Sequence, residues 1–128
     1  MDAKRSAVDV VTDYWTAANA RNWDTFGDLL APDVVYDLPQ TRERITGRER
    51  YVRFNVEYPG DWRAEPVRIV GDGTAHGATW TSFQVDGTAQ TGLCFFDLDE
   101  HGLINRITDF WPVPYEPPAG RDHLTERY

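Results

Sequence analysis

The residue best suited to proton transfer is a single aspartate near the end of the chain. Asp109 lies in the segment 107–111, whose alternation is typical of a β-strand, so Ile107, Asp109 and Trp111 share one face. If that face is buried, desolvation raises the pKa of the Asp109 carboxyl toward the range that suits general acid–base catalysis. The sequence therefore predicts Asp109 as a catalytic residue.

Two other arrangements of this strand also agree with the sequence. Arg106 or another arginine could pair with Asp109 and make it structural, or Thr108 and Phe110 could face the core instead. A second aspartate, Asp37, is expected to point outward, because its parity is opposite to that of its apolar neighbours.

Two adjacent aromatic residues, Tyr14 and Trp15, are candidates for holding a ligand. They lie on a predicted amphipathic helix, where a buried phenol or indole N–H needs a hydrogen-bond partner. In a pocket, either group could donate a hydrogen bond to a ligand oxygen. The alternative is that both are core residues whose polar atoms are satisfied by backbone carbonyls.

Metal and cofactor chemistry has no recognisable motif in the sequence. The three histidines, His76, His101 and His123, lie far apart in different predicted elements, and the lone Cys94 offers no cysteine pair. His76 is expected at an edge or on the surface, with contact to a ligand as the alternative. The sequence predicts no metal and no cofactor.

Composition bounds the remaining classes of protein. The chain has 128 residues, with 13 Lys plus Arg against 21 Asp plus Glu, and its formal net charge is −8. That length suits a single domain, residues 1–128, and the acidic balance argues against nucleic acid or an anionic membrane as a partner. No apolar run approaches the roughly 18 residues of a membrane span, and the first residues do not form a secretory signal. We expect a soluble, cytoplasmic domain.

Hydrophobic periodicity changes partway along the chain. Helical spacing predicts a first helix over 6–19, a second that begins at the N-cap Asn22 and ends at Pro32-Asp33, and a third after Gly47 that stops before Pro59. A strand is expected at 34–38, followed by an irregular polar segment at 40–46. The later alternating runs predict four successive antiparallel strands at 62–70, 75–85, 88–98 and 103–111, and residues 112–128 form a proline-rich tail.

Helices followed by long antiparallel strands define an α+β domain: a curved, mostly antiparallel sheet with three N-terminal helices packed on one face, which can enclose an internal pocket. Tyr14 or Trp15 is expected to donate a hydrogen bond inside this pocket. The expected apolar lining consists of Leu38, Tyr51, Phe54, Cys94 and Trp111.

The order of the elements and several segments resemble a known family over nearly the whole chain. The segments 14–23 (YWTAANARNW), 29–36 (LLAPDVVY), 47–49 (GRE) and 102–111 (GLINRITDFW) are similar to SnoaL-like domains of the nuclear-transport-factor-2-like superfamily. The resemblance implies an α+β cone. This fold hosts isomerases, dehydratases, epoxide hydrolases, polyketide cyclases and non-catalytic binders, so the fold alone does not select an activity.

Ketosteroid isomerases of this superfamily use a tyrosine and two aspartates. The position of their general base falls on Leu38, that of the tyrosine on Trp15 with Tyr14 beside it, and that of the second carboxyl on Cys94. Because leucine cannot accept a proton, the sequence does not support the isomerase mechanism.

Two other activities of the superfamily resemble the C-terminal half. The Asp-aromatic-aromatic motif of limonene-type epoxide hydrolases matches residues 109–111, but the Arg and second Asp of that family are missing from residues 77–81, which read GATWT. Polyketide cyclases need one acid–base group and a shaped apolar pocket, which this sequence provides. We therefore expect a pocket for a hydrophobic or polyketide-like ligand with Asp109 as general acid or base. The alternative is a non-catalytic ligand-binding or interaction domain.

The resemblance also implies a homodimer. Domains of this fold commonly pair sheet to sheet, and aromatic strands bearing Trp62 and Trp80 would permit the outer face of the sheet to pair. The expected partners are thus a small hydrophobic molecule and a second copy of the chain.

Overall fold

The structure is a computed structural model that describes residues 5–128. Three helices precede and interrupt the start of the sheet: α1 spans Ala7–Ala20, α2 spans Trp23–Asp28 and α3 spans Arg48–Val56. The sheet contains β1 (Leu30–Leu38), β2 (Glu43–Thr46), β3 (Trp62–Asp72), β4 (His76–Val85), β5 (Thr88–Leu98) and β6 (Ile104–Phe110). These elements form a single α+β unit in which a six-stranded, curled open sheet packs against the helices.

The helix boundaries follow local capping chemistry. The Ser6 side chain accepts a hydrogen bond from the backbone N–H of Asp9, and the Asn22 side chain accepts one from Thr25, so each helix begins where a short polar residue satisfies a free N–H. Helix α1 ends at Arg21 in the left-handed region with φ 58°. Gly47, with φ 101°, precedes α3.

The second helix is shorter than the sequence predicts. It ends at Asp28, and β1 begins at Leu30, two residues before the predicted break at Pro32. Leu30 is fully buried and pairs with Ile104, while the pairing of β1 with β6 shifts register between Leu30 and Val35. The proline therefore lies within an interrupted strand and does not end the helix.

Strand order in the sheet is β2-β1-β6-β5-β4-β3. All neighbours are antiparallel except β1 and β6, which run parallel. The prediction of an irregular segment at 40–46 is wrong for residues 43–46, which form the edge strand β2 paired with β1. Its side chains are exposed apart from the half-buried Ile45, so it lacks the alternation that reveals a strand.

The core lies between the helices and the inner face of the sheet. Helix α1 crosses β3 and β4, and α3 packs on β1 and α2. Along β4, β5 and β6, buried residues of the inner face alternate with more exposed residues. In β6 this alternation follows the predicted parity, and Ile107 is fully buried. The concave side of the sheet thus supports one apolar core.

The outer face of the sheet is partly apolar. Trp80 and Phe95 are about half exposed there, at 47% and 51%. Trp62 is not on this face, contrary to the expectation: it is buried on the inner side, in an aromatic cluster with Phe83 and Tyr58. Parity within β3 is interrupted by a register shift between Pro66 and Arg68, so its two halves do not follow one alternation.

Residues 112–128 contain no helix or strand, as the prolines predict. Within residues 5–128, no helix is both long and apolar enough to cross a membrane.

Candidate functional site

A cavity of about 40 Å³ lies between the helices and the inner face of the sheet. Its inner wall is made of buried side chains, and its outer rim contains half-buried Phe54, Asn55, Tyr58 and Trp111. The complete lining is Tyr14, Trp15, Ala18, Tyr36, Tyr51, Phe54, Asn55, Tyr58, Trp62, Phe83, Asp109 and Trp111. The lining contains one carboxyl group and no Lys, Arg or His.

Asp109 lies in the deep part of this wall with only 5% of its surface exposed. The Tyr36 hydroxyl donates a hydrogen bond to Oδ2, and the Cys94 thiol donates to Oδ1 at 3.0 Å. Arg106, the arginine that could have paired with Asp109, instead bonds Asp37 at 2.5 Å on the other side of the sheet. The inner face of β6 is therefore the one that carries Asp109, and this carboxyl has no basic partner among the residues described.

The environment of Asp109 acts on its pKa in two opposing ways. Burial raises the pKa above the usual value of 3.8, while hydrogen bonds from Tyr36, Cys94 and Trp111 lower it. The net direction is upward, because three donors do not fully replace the lost solvent. A carboxyl that holds its proton more readily than one in water suits proton exchange with a ligand.

Two further phenols lie beside this carboxyl. The hydroxyl groups of Tyr14 and Tyr51 are hydrogen-bonded to each other, and the ring of Tyr51 stacks on that of Tyr36 with centroids 4.5 Å apart. Burial is the main cause that raises the pKa values of Tyr14, Tyr36 and Tyr51 above the ordinary value. All three phenols are thus neutral near pH 7 and can donate hydrogen bonds.

Trp15 lines the cavity, but its polar atom is already used. The indole Nε1 donates to Thr79 Oγ1 at 3.0 Å, which ties α1 to β4. Its partner is a side-chain hydroxyl, whereas the alternative considered from the sequence was a backbone carbonyl. Tyr14, the other aromatic residue predicted to hold a ligand, has its hydroxyl group in a polar cluster.

The structure brings most of the predicted lining residues together. Tyr51, Phe54 and Trp111 line the cavity with Tyr14 and Trp15, whereas two predicted lining residues lie outside its wall. Leu38 packs at the edge of the core near the end of β1. Cys94 is buried beside Asp109 on the neighbouring strand and does not line the cavity.

Tyr36 is the functional-site residue that sequence reasoning missed. It shares the inner face of β1 with Val34, and this parity was available from the sequence. What the sequence did not show is that β1 lies parallel to β6, with Tyr36 opposite Ile107, so that its hydroxyl reaches Asp109.

The other titratable candidates lie outside the cavity. Asp37 faces away from it, as expected, and Arg44 and Arg106 bond both of its oxygens, which lowers its pKa. His76 and His101 are exposed. Across residues 5–128, no group of three or more His, Cys, Asp or Glu side chains is arranged to hold a metal ion.

A curled sheet with an acid on its last strand and helices over the cavity defines a cone-shaped α+β domain. The SnoaL-like domain model matches residues 11–107, and the chain belongs to this family. The comparison with curated proteins found no match.

Solved structures support the same placement. A protein from Kribbella flavida DSM 17836, provisionally named a ketosteroid isomerase, is 46% identical with a TM-score of 0.89, over 94% of this chain and 87% of that one. A polyketide cyclase, also provisionally named, from Xanthomonas campestris pv. campestris is 25% identical with a TM-score of 0.69, over 83% and 90%. An NTF-2 like protein from Burkholderia xenovorans LB400, 24% identical with a TM-score of 0.75 over 94% and 93%, shows the fold alone.

Proposed function

We propose that the cavity binds a small, neutral, hydrophobic carbonyl compound and that Asp109 acts on it as general acid or base. The observation that supports this is the carboxyl itself, buried in the wall of an apolar cavity with no arginine, lysine or histidine beside it. A structural carboxylate at such a depth is normally paired with a cation. Asp109 is held by neutral donors instead, which leaves its proton available for exchange.

The absence of basic residues from the lining also selects the charge of the ligand. An anionic ligand would have to enter a desolvated site next to Asp109 without a cation to balance it. A neutral molecule with an oxygen acceptor avoids this cost. The aromatic rings of Phe54, Tyr58, Phe83 and Trp111 would contact its apolar part.

The reaction class that fits is proton transfer at a carbon next to a carbonyl group. Ionised Asp109 would take the proton from that carbon, and the electron pair of the C–H bond would move toward the carbonyl oxygen. The hydrogen bond between the Tyr14 and Tyr51 hydroxyls uses the hydrogen of only one of them. The hydrogen of the other hydroxyl can therefore be donated to the carbonyl oxygen of the ligand. In an isomerisation, Asp109 would then return the proton to a different carbon of the same enolate. In a cyclisation, the enolate carbon would instead form a bond to a second carbonyl carbon of the ligand, and the oxygen of that carbonyl would take the proton from Asp109.

The relatives agree with this class but do not select a member of it. Ketosteroid isomerase and polyketide cyclase are names of relatives, and both reactions begin at an acidic C–H. Leu38, where the resemblance placed the isomerase base, lies outside the cavity, so any proton transfer here is assigned to Asp109. In the segment where an epoxide hydrolase would carry its Arg and Asp, this chain has Thr79, which accepts a hydrogen bond from Trp15, and Thr81, which donates one to the Gly92 carbonyl.

A non-catalytic binding role is the second candidate, and one observation favours it. Both oxygens of Asp109 already accept a hydrogen bond from the protein, from Tyr36 and Cys94. A carboxyl held in this way could serve only as an acceptor that orients a bound molecule. Each carboxylate oxygen has a second lone pair, so catalysis requires that the ligand reach one of these or replace one of the two donors.

Deuterium exchange distinguishes the two candidates without knowledge of the natural substrate. The protein is incubated in D₂O with 2-tetralone, a neutral ketone with acidic C–H bonds, and loss of the α-proton signals is followed by NMR. A rate above buffer that Asp109→Asn abolishes supports catalysis. The matched control is Asp37→Asn, which makes the same change outside the cavity. Exchange that persists in Asp109→Asn contradicts the proposed role, and binding without exchange assigns the protein to the non-catalytic class.

We also propose that two copies pair through the outer face of the sheet. Apolar side chains lie in register across the strands there: Trp80 is opposite Leu93, which is opposite Phe110, and the Phe95 ring packs edge-on against that of Phe110. A row of this kind, half exposed in one chain, is typical of a surface that another copy covers.

A further inference from the structure

One side chain from the β1–β2 turn makes both backbone hydrogen bonds of a residue at the end of the sheet. The Gln40 amide Nε2 donates to the Trp111 carbonyl at 2.8 Å, and the Trp111 backbone N–H donates to Gln40 Oε1. Strand β6 ends at Phe110 and its parallel neighbour β1 ends at Leu38. The Gln40 side-chain amide thus pairs with the backbone N–H and carbonyl of Trp111, as a neighbouring strand would, one residue beyond the end of β6.

The residue held in this way is part of the cavity rim. The Trp111 indole is half-buried and packs edge-on against Phe83, with ring centroids 5.1 Å apart. It lies over Gly92, where an added Cβ would come within 3.4 Å of the ring. The indole therefore lies close against the sheet and covers the cavity from the side of β6.

Trp111 is also a rim residue whose backbone lies outside the helices and strands. Phe54 and Asn55 are within α3, where the helix holds their backbone. Trp111 lies outside the strand, and it is followed by Pro112, which has no N–H to donate, and by a largely exposed tail. The side chain packs in the cavity wall, but its backbone is held by the two bonds to Gln40, whose side chain comes from an exposed turn.

The present size of the cavity requires some part of the wall to move. A volume of about 40 Å³ has room for a few water molecules, whereas sites for organic ligands are roughly 300–1,000 Å³. Outward movement of Trp111 enlarges the cavity without disturbing the helices or the buried tyrosines. Movement of the Trp111 backbone away from the sheet must break the hydrogen bonds to Gln40, and movement of its side chain also breaks the hydrogen bond to Asp109.

We propose that Gln40 determines the size of the ligand that the cavity accepts, by holding Trp111 over its rim. This inference rests on the proposed function, since it concerns the ligand of the same cavity. Gln40 is here a positioning residue that acts through Trp111, and small ligands need less displacement of the indole than large ones. Loss of the glutamine amide is expected to favour larger ligands relative to smaller ones.

The position of Trp111 can be tested without a ligand. The protein is labelled with 5-fluorotryptophan, the Trp111 resonance is assigned by its loss in Trp111→Phe, and its exposure is read from the H₂O–D₂O solvent isotope shift in ¹⁹F NMR. Gln40→Ala is expected to increase this shift for Trp111 alone among the tryptophans. Gln40→Glu, which keeps an acceptor but lacks the amide donor, should give an intermediate shift. Thr41→Ala, an exposed change in the same turn, is the matched control and should leave the resonance unchanged.

The size dependence is tested with two neutral aryl ketones, acetophenone with one ring and 2-acetylnaphthalene with two. Their Kd values are measured by calorimetry for the wild type, Gln40→Ala and Thr41→Ala. In Gln40→Ala the affinity for the larger ketone relative to the smaller one is expected to increase about tenfold. This factor corresponds to the net free energy of one to two hydrogen bonds. In Thr41→Ala the ratio should equal that of the wild type.

The outcomes separate this inference from the proposed function. An unchanged Trp111 resonance in Gln40→Ala overturns the role of Gln40 whatever the ligands do. A changed resonance with an unchanged Kd ratio overturns the effect on ligand size. If the resonance changes but neither ketone binds any of the proteins, the proposed ligand class is wrong, whereas the hold of Gln40 on Trp111 is supported.

Discussion

Tyr36 and Asp109, 73 residues apart in the sequence, are joined by a buried hydrogen bond across the parallel pair of strands β1 and β6. The phenol is the donor and the carboxyl oxygen Oδ2 the acceptor. This bond lowers the pKa of Asp109 against the effect of burial, so it controls how readily the carboxyl ionises inside the cavity.

Removal of the Tyr36 hydroxyl is therefore expected to raise the pKa of Asp109 further. In Tyr36→Phe the carboxyl loses one of its donors and keeps its burial, and the free energy of unfolding should fall by about 1–3 kcal/mol near pH 7 because a buried acceptor is left unpaired. The pKa is measured by ¹³C NMR of the carboxyl, with the resonance assigned by its loss in Asp109→Asn. Tyr58→Phe, in the same wall but without a hydrogen bond to Asp109, is the control and should leave this pKa unchanged. An equal or lower pKa in Tyr36→Phe would contradict the assigned donor.

The raised pKa of Asp109 also predicts a pH dependence of stability. Because the folded state holds this proton more tightly than the unfolded state, whose pKa is near 3.8, folding binds protons as the pH rises above that value. The contribution of Asp109 to stability is then fully present below about pH 3.8 and is lost as the pH rises through the folded-state pKa.

Comparison with Asp109→Asn isolates this contribution, because the other titrating groups are common to both proteins. The free energy of unfolding is measured in urea at several pH values, and the wild type is expected to lose stability relative to Asp109→Asn as the pH increases from 3.8. A relative gain of stability in that direction would show that donors outweigh burial and that the pKa of Asp109 is lowered.

The parts of this site that sequence predicts are those governed by local periodicity. The parity of residues 107–111 placed Asp109 and Trp111 on one face, and the spacing on α1 and α3 brought Trp15 and Tyr51 inward. The structure has all four in the cavity wall. Strands β3 to β6 pair in succession, so turn chemistry alone was enough to order them.

The parts that were missed depend on contacts between distant segments. Tyr36 meets Asp109 only because β1 inserts beside β6 in parallel, and no local pattern encodes that pairing. Trp62 was expected on the outer face, but the register shift at Pro66 breaks the parity of β3, and Trp62 and Ala64 face inward. Leu38 shares the parity of Tyr36, yet it lies too near the end of β1 to reach the cavity.

Gly92 is expected to tolerate no side chain. An added Cβ would lie only 2.8 Å from Thr81 Oγ1, whereas its distance of 3.4 Å from the Trp111 ring is an ordinary contact, so Gly92→Ala must displace the Thr81 hydroxyl, which donates to the Gly92 carbonyl. We expect a loss of about 1–3 kcal/mol in the free energy of unfolding, as for overpacking of a core, together with a shift of the Trp111 resonance. Gly27→Ala is the matched control, because its Cβ would meet only Val52 at 3.6 Å and alanine favours the helix. Equal stability of Gly92→Ala and the wild type would show that the Thr81 hydroxyl is not fixed against Gly92.

The proposed pairing of two copies predicts a change of oligomeric state when charge is placed on the outer face of the sheet. Phe95 is 51% exposed there, next to the Phe110 ring, so Phe95→Glu puts a carboxylate where the second copy would otherwise bury the pair. Sedimentation equilibrium is expected to give a dimer for the wild type and a monomer for Phe95→Glu. The control is Tyr115→Glu in the exposed tail, which should remain dimeric. Because Phe95 lies on the opposite face of the sheet from Asp109, Phe95→Glu should leave the pKa of the Asp109 carboxyl unchanged. A wild type that is monomeric at the highest concentrations measured would contradict the proposed pairing.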